Sequence, residues 1–189
     1  MTAMISLFRE IQSAEVDEAY RIYIEAFDWL KAKGVRQWLV PLSKDKYLDR
    51  QQRGENFGLF IGARVGAIVS LAWEVSPYWQ KEVGADAYWW LSTLAVATEF
   101  RGEKIAEQMV LEAENWLRGK GATEVFVDCV DERGFLPSFY KRLGFDEVCR
   151  KSITYPSGNT FPMVLMKKMK LNQRPQLTPS SRRTTTPRG

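Results

Sequence analysis

The segment from Tyr88 to Lys120 constrains the fold more than any other part of this chain. An apolar run of strand type, Tyr88 to Val96, stops at Ala97-Thr98-Glu99. Arg101-Gly102-Glu103-Lys104-Ile105-Ala106 then opens a helical pattern that continues to about Lys120. A strand that leads through a tight turn into a helix presents free backbone N–H groups at the positive end of the helix dipole. The segment therefore predicts an anion site suited to a phosphate or a pyrophosphate.

The patterns on either side of this segment predict a mixed α/β sheet. Apolar alternation and helical spacing predict strands over 6–11, 57–61, 67–73, 88–96, 124–129, 145–152 and 161–169, and helices over 14–33, 44–52, 103–120 and 136–143. Residues 76–87 are predicted to form a loop. Because helix 103–120 connects two strands as a crossover, those two strands should run parallel, with a right-handed connection. We expect one domain over 1–171 and a basic, disordered tail over 172–189, where Pro, Ser, Thr and Arg replace the apolar pattern.

The composition excludes several classes of protein. The chain has no histidine, which excludes Ser-His-Asp and Cys-His catalysis and argues against a zinc enzyme, so we expect no metal. Cys129 and Cys149 belong to no C-x-x-C pair, and we interpret them as two buried thiols of a cytoplasmic protein. Apolar runs stay shorter than about 18 residues, and the N-terminus lacks a basic region before an apolar stretch, so neither a membrane span nor a secretory signal is expected.

The positive charge of the chain is concentrated at one end. The net charge is +4, and the segment 172–189 contains four arginines and no acidic residue. The formal net charge of the remaining residues, 1–171, is therefore zero. Because the basic character belongs to the tail and not to a face of the fold, the sequence argues against a nucleic-acid partner.

A second motif indicates which protein family the predicted phosphate-binding turn, residues 101–106, belongs to. Neither a Walker A loop nor a G-x-G-x-x-G fingerprint is present. Further along, Phe139-Tyr140-Lys141-Arg142-Leu143-Gly144-Phe145 follows the apolar strand Val125 to Cys129. Together the two segments, spanning residues 88–147, resemble the GCN5-related N-acetyltransferase (GNAT) family.

The resemblance rests on particular positions. Arg101 and Ala106 match the first and last residues of the family's phosphate motif, Arg/Gln-x-x-Gly-x-Gly/Ala, and Tyr140 with Gly144-Phe145 matches its later motif. Two positions depart from the family. Lys104 replaces the middle glycine of the phosphate motif, which costs backbone freedom and adds a cation. Arg133 stands where an asparagine is often found, so contacts to the pantetheine or adenine part of the donor are expected to differ.

The resemblance implies a fold and a donor. The fold would be α/β, a mixed and mostly antiparallel central sheet with a splayed parallel strand pair and helices on both faces. The donor would be acetyl-coenzyme A, its pyrophosphate held by the backbone N–H groups of Arg101, Gly102, Glu103, Lys104, Ile105 and Ala106. The pantetheine arm would pair with the strand edge at Leu94, Ala95 and Val96, where a backbone N–H would also stabilise the oxyanion. Tyr140 would be the general acid for the departing sulfur.

The base and the acceptor are less determined by the resemblance. Some relatives carry Glu on the strand where this chain has Tyr88; Glu74 and Asp86 are the nearest carboxylates, and a water chain would also serve. Six of the seven tryptophans precede the phosphate motif, in the part of the family fold that shapes the acceptor pocket. We expect Trp38, Arg36 and Trp73 to line that pocket, which would suit an apolar or cationic amine.

Three functions follow from these expectations. The first is a cytoplasmic N-acetyltransferase that acts on a small-molecule amine, as a monomer or a homodimer. The second modifies a protein amine, either a lysine or an N-terminus. The third is a coenzyme A-binding module without turnover, which the loss of glycine at Lys104 would favour. A closed aromatic pocket would indicate the small amine, and an open acidic groove would indicate a protein.

Overall fold

The computed structural model describes residues 6–35, 41–131 and 134–169. Within these ranges the strands are β1 Ser6–Glu10, β2 Asn56–Ile61, β3 Arg64–Glu74, β4 Tyr88–Val96, β5 Glu124–Val130, β6 Asp146–Thr154 and β7 Thr160–Met169. The helices are α1 Val16–Ala32, α2 Lys44–Gln52, α3 Gln80–Val83, α4 Ile105–Gly119 and α5 Phe135–Arg142. The predicted elements are confirmed, with ends that differ by a few residues. The prediction of a plain loop over 76–87 is wrong, because the one-turn helix α3 lies within it.

All seven strands form one sheet in the order β1-β2-β3-β4-β5-β7-β6. Every neighbouring pair is antiparallel except β4 and β5, which run parallel as the crossover helix predicts. These two strands share a single registered pair, Trp90 with Phe126. Beyond this pair the facing edges of β4 and β5 are open, so the sheet has a gap at its centre. The predicted fold class, with a splayed parallel pair, is confirmed.

A β-bulge in β4 accompanies the separation of the strands. Ile68 pairs with Ala95 and Ser70 pairs with Ser92 on β3 and β4. Between these two pairs β4 therefore holds one residue more than β3. Thr93 lies at this point with φ of 56°, which is rare for a β-branched residue. A bulge bends its strand and increases the local twist. The bulge therefore directs the end of β4 away from β5.

The helices cover both faces of the sheet. One face carries α4 and α5 over a core that includes Val69, Leu91 and Val127. On the other face α1 packs on β3 and β4, against Ile68 and Ala95. The β5–β7 half of that second face is covered by a cluster centred on Trp79 and Phe126, Ile153, Phe161 and Leu165. The α1 layer and the Trp79 cluster meet along the β4–β5 gap.

Two further expectations can be compared with the described residues. Cys129 is buried, whereas Cys149 is only partly buried, so the prediction of two buried thiols is wrong for Cys149. In the described ranges no helix combines the length and the apolar character that crossing a bilayer requires. The predicted tail, 172–189, lies outside the described residues.

Candidate active site

A cavity of about 420 Å³ lies where the sheet opens. It brings together the end of β4, the turn before α4, one face of α1 and the exposed face of α5. Its lining includes Ala26, Trp29, Leu94, Ala95, Val96, Phe100, Arg101, Gly102, Lys104, Ile105, Ala106, Glu107, Phe135, Phe139 and Arg142. The cavity therefore joins the strand edge and the phosphate turn that the sequence predicted to act together.

The turn before α4 is shaped by two residues with positive φ. Gly102 has φ of 89° and Lys104 has φ of 59°, and Lys104 is the N-cap of the helix. The N–H of Gln108 donates to the carbonyl of Lys104 at 3.0 Å, so Ile105, Ala106 and Glu107 precede any helical acceptor for their N–H groups. These N–H groups and the dipole of a fifteen-residue helix form an anion site.

Arg101 contributes a guanidinium that needs a further partner. Its Nε donates to the Val96 carbonyl at 3.4 Å, and its guanidinium carbon lies 5.0 Å from the centre of the Trp29 ring. One terminal nitrogen, Nη2, is buried without any hydrogen-bond acceptor. Leaving a buried charged donor unpaired costs roughly 1–3 kcal/mol or more. An anionic ligand in the cavity would supply the missing acceptor, so the donor set fits a phosphate-bearing molecule.

Glu103 contributes to this turn through its backbone alone. Its side chain is exposed and lines a separate groove of about 480 Å³ between α4 and α5, together with Glu114 and Lys168. The acidic group that does line the cavity is Glu107, on the first turn of α4. The cations Arg101, Lys104 and Arg142 outnumber it there, so the cavity favours an anion.

Tyr140 is on α5 with its ring packed in the core beneath α4 and α5. Its ring centre lies 5.1 Å from that of Phe139 and 5.4 Å from that of Phe145, and 4% of its surface is exposed. Its hydroxyl makes no hydrogen bond with another described residue. Burial raises the pKa of Tyr140, and the nearby Cys129 and Asp128 raise it further. The hydroxyl is therefore neutral, and it is a better hydrogen-bond donor to a developing thiolate than a source of a fully transferred proton.

Asp128 is the carboxylate that the structure places beside the β4–β5 gap. It follows Phe126 on the same face of β5, and its Oδ2 accepts a hydrogen bond from Trp79 Nε1 at 2.8 Å. The side chain is only half-buried, so it keeps contact with solvent. Burial raises the pKa of the Asp128 carboxyl, although the Trp79 hydrogen bond opposes this effect. A carboxylate with a raised pKa at an active cleft is suited to accept a proton from an amine.

Trp79 holds this carboxylate rigidly. The side chain of Trp79 is fully buried, and Lys151 lies over its ring with Nζ 4.4 Å from the ring centre. Lys151 in turn donates to a Glu82 carboxylate oxygen at 2.7 Å and to the Tyr78 carbonyl at 2.6 Å. The orientation of Asp128 is therefore fixed by contacts from the α3 segment and from β6.

Four of the residues predicted for base and acceptor roles lie outside the lining of the cavity at the end of β4, namely Trp73, Glu74, Asp86 and Tyr88. Glu74 is exposed at the end of β3, paired with Tyr88 across the strands, and Asp86 is exposed in the segment before β4. Tyr88 is half-buried against Phe126, with ring centres 5.1 Å apart. Trp73 is 58% exposed and packs edge-on against Trp89.

Trp73 and Tyr88 line a different cavity of about 390 Å³. That cavity lies at the start of β4, away from Leu94 to Val96. The structure therefore does not bring Trp73 or Glu74 to the cavity at the end of β4. Trp38, Arg36 and Arg133 lie outside the described residues, and their roles stay predictions.

Arg50 on α2 is a residue near the gap that the sequence did not point to. One of its nitrogens, Nη1, donates to Thr93 Oγ1 at 2.8 Å and to Ser92 Oγ at 3.2 Å. Arg50 therefore fixes the bulge of β4 from the α2 side. It is half-buried, and it forms no ion pair with a carboxylate among the described residues.

The residues that sequence reasoning missed share a property. Asp128 and Arg50 acquire their positions from partners 49 and 42 residues away in the chain. One signal for Asp128 was present, since it is the lone acid inside the apolar strand Val125 to Val130. A carboxylate in such a strand needs a buried partner or a function. In the described ranges no group of three or more His, Cys, Asp or Glu is arranged to hold a metal ion.

Comparison with known proteins gives consistent matches. The family model described as acetyltransferase (GNAT) family matches residues 16–145. The uncharacterized N-acetyltransferase YesJ of Bacillus subtilis (strain 168) is 25% identical over 131 residues, covering 66% of this chain and 73% of that protein. A GNAT family acetyltransferase structure from Listeria monocytogenes 4b F2365 has a TM-score of 0.73 at 21% identity, covering 87% of this chain and 94% of that chain. The ribosomal-protein-S18-alanine N-acetyltransferase of Escherichia coli has a TM-score of 0.63 at 15% identity, covering 92% and 99%.

Proposed function

Because the chain belongs to the acetyltransferase (GNAT) family, we propose that it transfers the acetyl group of acetyl-coenzyme A to the primary amine of a small molecule. The observation that carries the proposal is the cavity that joins the open edge of β4 to the turn at the start of α4, which we call the donor cavity. One end of this cavity binds anions, and the other end opens into the gap of the sheet. A donor with a pyrophosphate and an extended arm fits both ends.

The phosphate end would be held by charge and by backbone donors. The N–H groups of Ile105, Ala106 and Glu107 point out of the helix start, and Arg101 Nη2 is buried there without an acceptor. Lys104 and Arg142 line the same cavity. The arm of the donor would run along Leu94 to Val96, whose β5-side backbone groups have no strand partner because the pairing stops at Trp90.

The chemistry is direct acyl transfer. The neutral amine attacks the thioester carbonyl carbon, a C–N bond forms, and the C–S bond breaks as coenzyme A thiolate departs. A backbone N–H on the open edge of β4 would stabilise the oxyanion. Asp128 would take the proton that the attacking amine loses, and the neutral Tyr140 hydroxyl would donate a hydrogen bond to the departing sulfur.

The aromatic surroundings of Asp128 favour a small acceptor over a protein. The face on which Asp128 lies carries Trp79, Trp90 and Phe126, and the Trp90 and Phe126 rings are 5.3 Å apart. These rings are almost fully buried, so they make the surroundings of the Asp128 carboxylate apolar, which suits an amine with an apolar body. The second candidate is a protein acceptor, and it is supported by the structural similarity to the Escherichia coli enzyme named as a ribosomal-protein-S18-alanine N-acetyltransferase. The third alternative, a coenzyme A-binding module, would lack turnover altogether.

Acceptor panels separate these three functions. Release of free coenzyme A should be measured with a thiol reagent, using small amines in one panel and lysine-bearing or free N-terminal peptides in the other. The proposal expects turnover with small amines and none above background with peptides. Turnover with peptides alone would indicate a protein acetyltransferase, and saturable acetyl-coenzyme A binding without turnover on either panel would indicate the binding module.

Tyr140→Phe tests the assigned hydrogen-bond donor. The variant should bind acetyl-coenzyme A normally and lose turnover roughly 10–1000-fold, near the range for one acid–base group. Phe145→Leu is the matched control, since Phe145 packs against the Tyr140 ring with centres 5.4 Å apart, carries no hydroxyl and does not line the cavity. Full turnover in the Phe variant would show that Tyr140 is only a core residue.

A further inference from the structure

We infer that the acceptor carries a carboxylate in addition to its amine, and that Arg50 binds this carboxylate. The inference rests on the proposed function, because it names the class of small amine that receives the acetyl group. It comes from two charged side chains on opposite sides of the β4–β5 gap. The acceptor class is therefore an amino acid, or another short amine with an acid group.

The strand register puts the two charges on the same face of the sheet. Trp90 and Phe126 are paired and their rings are in contact, so their side chains point to the same face. Ser92 and Asp128 each lie two residues further along, and side chains alternate along a strand. Both therefore point to the face that Trp90 and Phe126 share. Because Arg50 Nη1 donates to Ser92 Oγ, Arg50 stands across the gap from Asp128.

Arg50 is a cation whose charge the described residues do not neutralise. A guanidinium has five N–H donors, and both hydrogen bonds that Arg50 makes come from Nη1 to neutral hydroxyls. Arg53, at the end of the same helix, shows the contrast. Its Nε and Nη2 bind both carboxylate oxygens of Glu55 at 2.7 and 2.8 Å. The remaining fork of Arg50 matches the geometry of a carboxylate.

A buried hydroxyl next to Arg50 supports an anionic ligand. The Tyr47 side chain is 1% exposed, and its hydroxyl has no hydrogen-bond partner. Tyr47 lies three residues before Arg50 on α2, so the two side chains share one face of the helix. Burial raises the pKa of Tyr47, and the charge of Arg50 opposes this. A neutral hydroxyl donates one hydrogen bond. A carboxylate or water held by Arg50 would offer the acceptor that this hydroxyl lacks.

The opposite signs of the two groups assign the two ends of the acceptor. Asp128 attracts the ammonium form of the amine and takes the proton that the nitrogen loses as the C–N bond forms. Arg50 retains the carboxylate, which is unchanged by the reaction. The rings of Trp90 and Phe126, which are 6% and 3% exposed, pack beneath the start of the gap. An amine without an acid group would leave Arg50 unpaired at the site.

Matched acceptor pairs provide the test. Coenzyme A release is measured for phenylalanine against phenethylamine and for 4-aminobutyrate against butylamine, with wild type, Arg50→Gln and Arg53→Gln. The wild type should prefer the carboxylated member of at least one pair. Arg50→Gln should lower kcat/KM for that member roughly 10–100-fold, mainly through KM, because a hydrogen bond to a charged group is lost. The plain amine should lose clearly less than the carboxylated member in Arg50→Gln, because loosening the bulge affects both members equally, and Arg53→Gln should change neither member.

Each other outcome overturns the inference in a recognisable way. An equal loss on both members of a pair would show that Arg50 only fixes the bulge. A preference for the plain amines would refute the carboxylate while leaving the proposed function intact, whereas acetylation of peptides alone would refute both. If Arg50→Gln fails to fold, the preference of the wild type within each pair decides the question, and Arg50→Lys, which keeps the charge, should retain part of it.

Discussion

Asp128, at the scale of single residues, is a carboxylate that the fold holds on an aromatic face by one hydrogen bond from Trp79. Burial raises the pKa of its carboxyl. Because this pKa is raised in the folded state, Asp128 contributes to the free energy of unfolding, and the contribution is fully present below the pKa of the carboxyl in the unfolded chain, about 4. This stability is lost as the pH rises through the folded-state pKa. At neutral pH the charged Asp128 carboxylate therefore lowers the free energy of unfolding.

Asp128→Asn should separate catalysis from stability. The amide oxygen can still accept from Trp79, so the variant should melt a few degrees higher than wild type near pH 7, and the difference should vanish below about pH 4. Turnover should fall roughly 10²–10⁴-fold. Burial raises the pKa of Cys129 and of Tyr155 to about 12, so neither group titrates in this window.

Asp146→Asn is the control for Asp128→Asn, because Asp146 is an exposed acid at the start of β6. It should alter neither the melting temperature nor the rate. An Asp128→Asn variant with full turnover would show that another group, or water, accepts the proton. A lower melting temperature at pH 7 would show that the charged carboxylate is stabilising.

Lys104 explains why the family's motif has glycine at this position. Its φ of 59° lies in the left-handed region, which costs an L-residue roughly 1–2 kcal/mol and glycine almost nothing. We therefore expect Lys104→Gly to raise the melting temperature and Lys104→Ala to leave it unchanged or lower it. Both variants lose the Lys104 charge. A loss of acetyl-coenzyme A affinity that is equal in the two variants, measured by calorimetry, therefore gives the contribution of this charge to binding. Equal melting temperatures for the two variants would contradict the strain.

Proline at Gly102 would be a poorer test of this turn. The φ of Gly102 is 89°, whereas proline is fixed near −65°. Such a variant would rebuild the turn as well as remove one N–H donor. Variants at Lys104 leave the path of the backbone intact.

At the scale of secondary-structure elements, one lysine ties α4, α5 and β7 together. Lys168 on β7 donates to both carboxylate oxygens of Glu114 at 2.7 and 2.9 Å, and to the Leu143 carbonyl at the end of α5 at 2.6 Å. The Glu114 side chain is 1% exposed and that of Lys168 is 9% exposed. Burial raises the pKa of Glu114, although Lys168 opposes this. Each charge of this pair depends on the other.

Removing one partner should therefore cost much more than removing both. Lys168→Met should destabilise the protein by about 3–5 kcal/mol, because it leaves a buried carboxylate without a cation. Glu114→Gln combined with Lys168→Met should recover most of that loss. Urea denaturation of wild type, both single variants and the double variant gives the coupling energy. Additive single effects would show that the pair is not coupled.

The elements that sequence could predict were those with local signals. The strand–turn–helix from Tyr88 onward, the last two strands, and the start of α2, where Ser43 Oγ accepts from the Lys46 N–H at 3.4 Å, all depend on neighbouring residues. The phosphate turn was predicted for the same reason. The bulge at Thr93 was not, because a positive φ at a β-branched residue has no local signature and depends on Arg50.

The proposed acceptor side has few signals in the sequence because tertiary contacts create it. Trp38 and Trp73 were expected there, whereas the proposed site is built around Asp128, which meets Trp79, Trp90 and Phe126 only after the sheet has formed. Trp73 was a candidate by composition, yet strand alternation turns it to the α4 face. The strand edge and phosphate turn of the proposed donor side lie in one continuous segment, 94–107, and were therefore easier to predict than the proposed acceptor side, whose residues come from α2, the α3 segment, β4 and β5.

At the scale of the whole molecule, the distribution of charge leads to the last prediction. The segment 1–171 has no net charge, and the excess of +4 lies in 172–189. The donor cavity nevertheless has its own cations, Arg101, Lys104 and Arg142, against Glu107. Charges further apart than a Debye length, about 8 Å at 0.15 M salt, are largely screened. The affinity for acetyl-coenzyme A should therefore depend on the cavity cations and not on the net charge of the chain.

Calorimetry at low and high salt distinguishes these two sources of charge. The Kd of acetyl-coenzyme A should rise several-fold between about 0.05 and 0.5 M KCl, since screening weakens exposed charge pairs. A chain that ends at Leu171 should show the same rise, although its excess of positive charge is gone. Arg142→Gln should reduce the rise, whereas Lys81→Gln, an exposed cation of α3, should not. Loss of the salt dependence on truncation would instead show that arginines of segment 172–189 contact the donor.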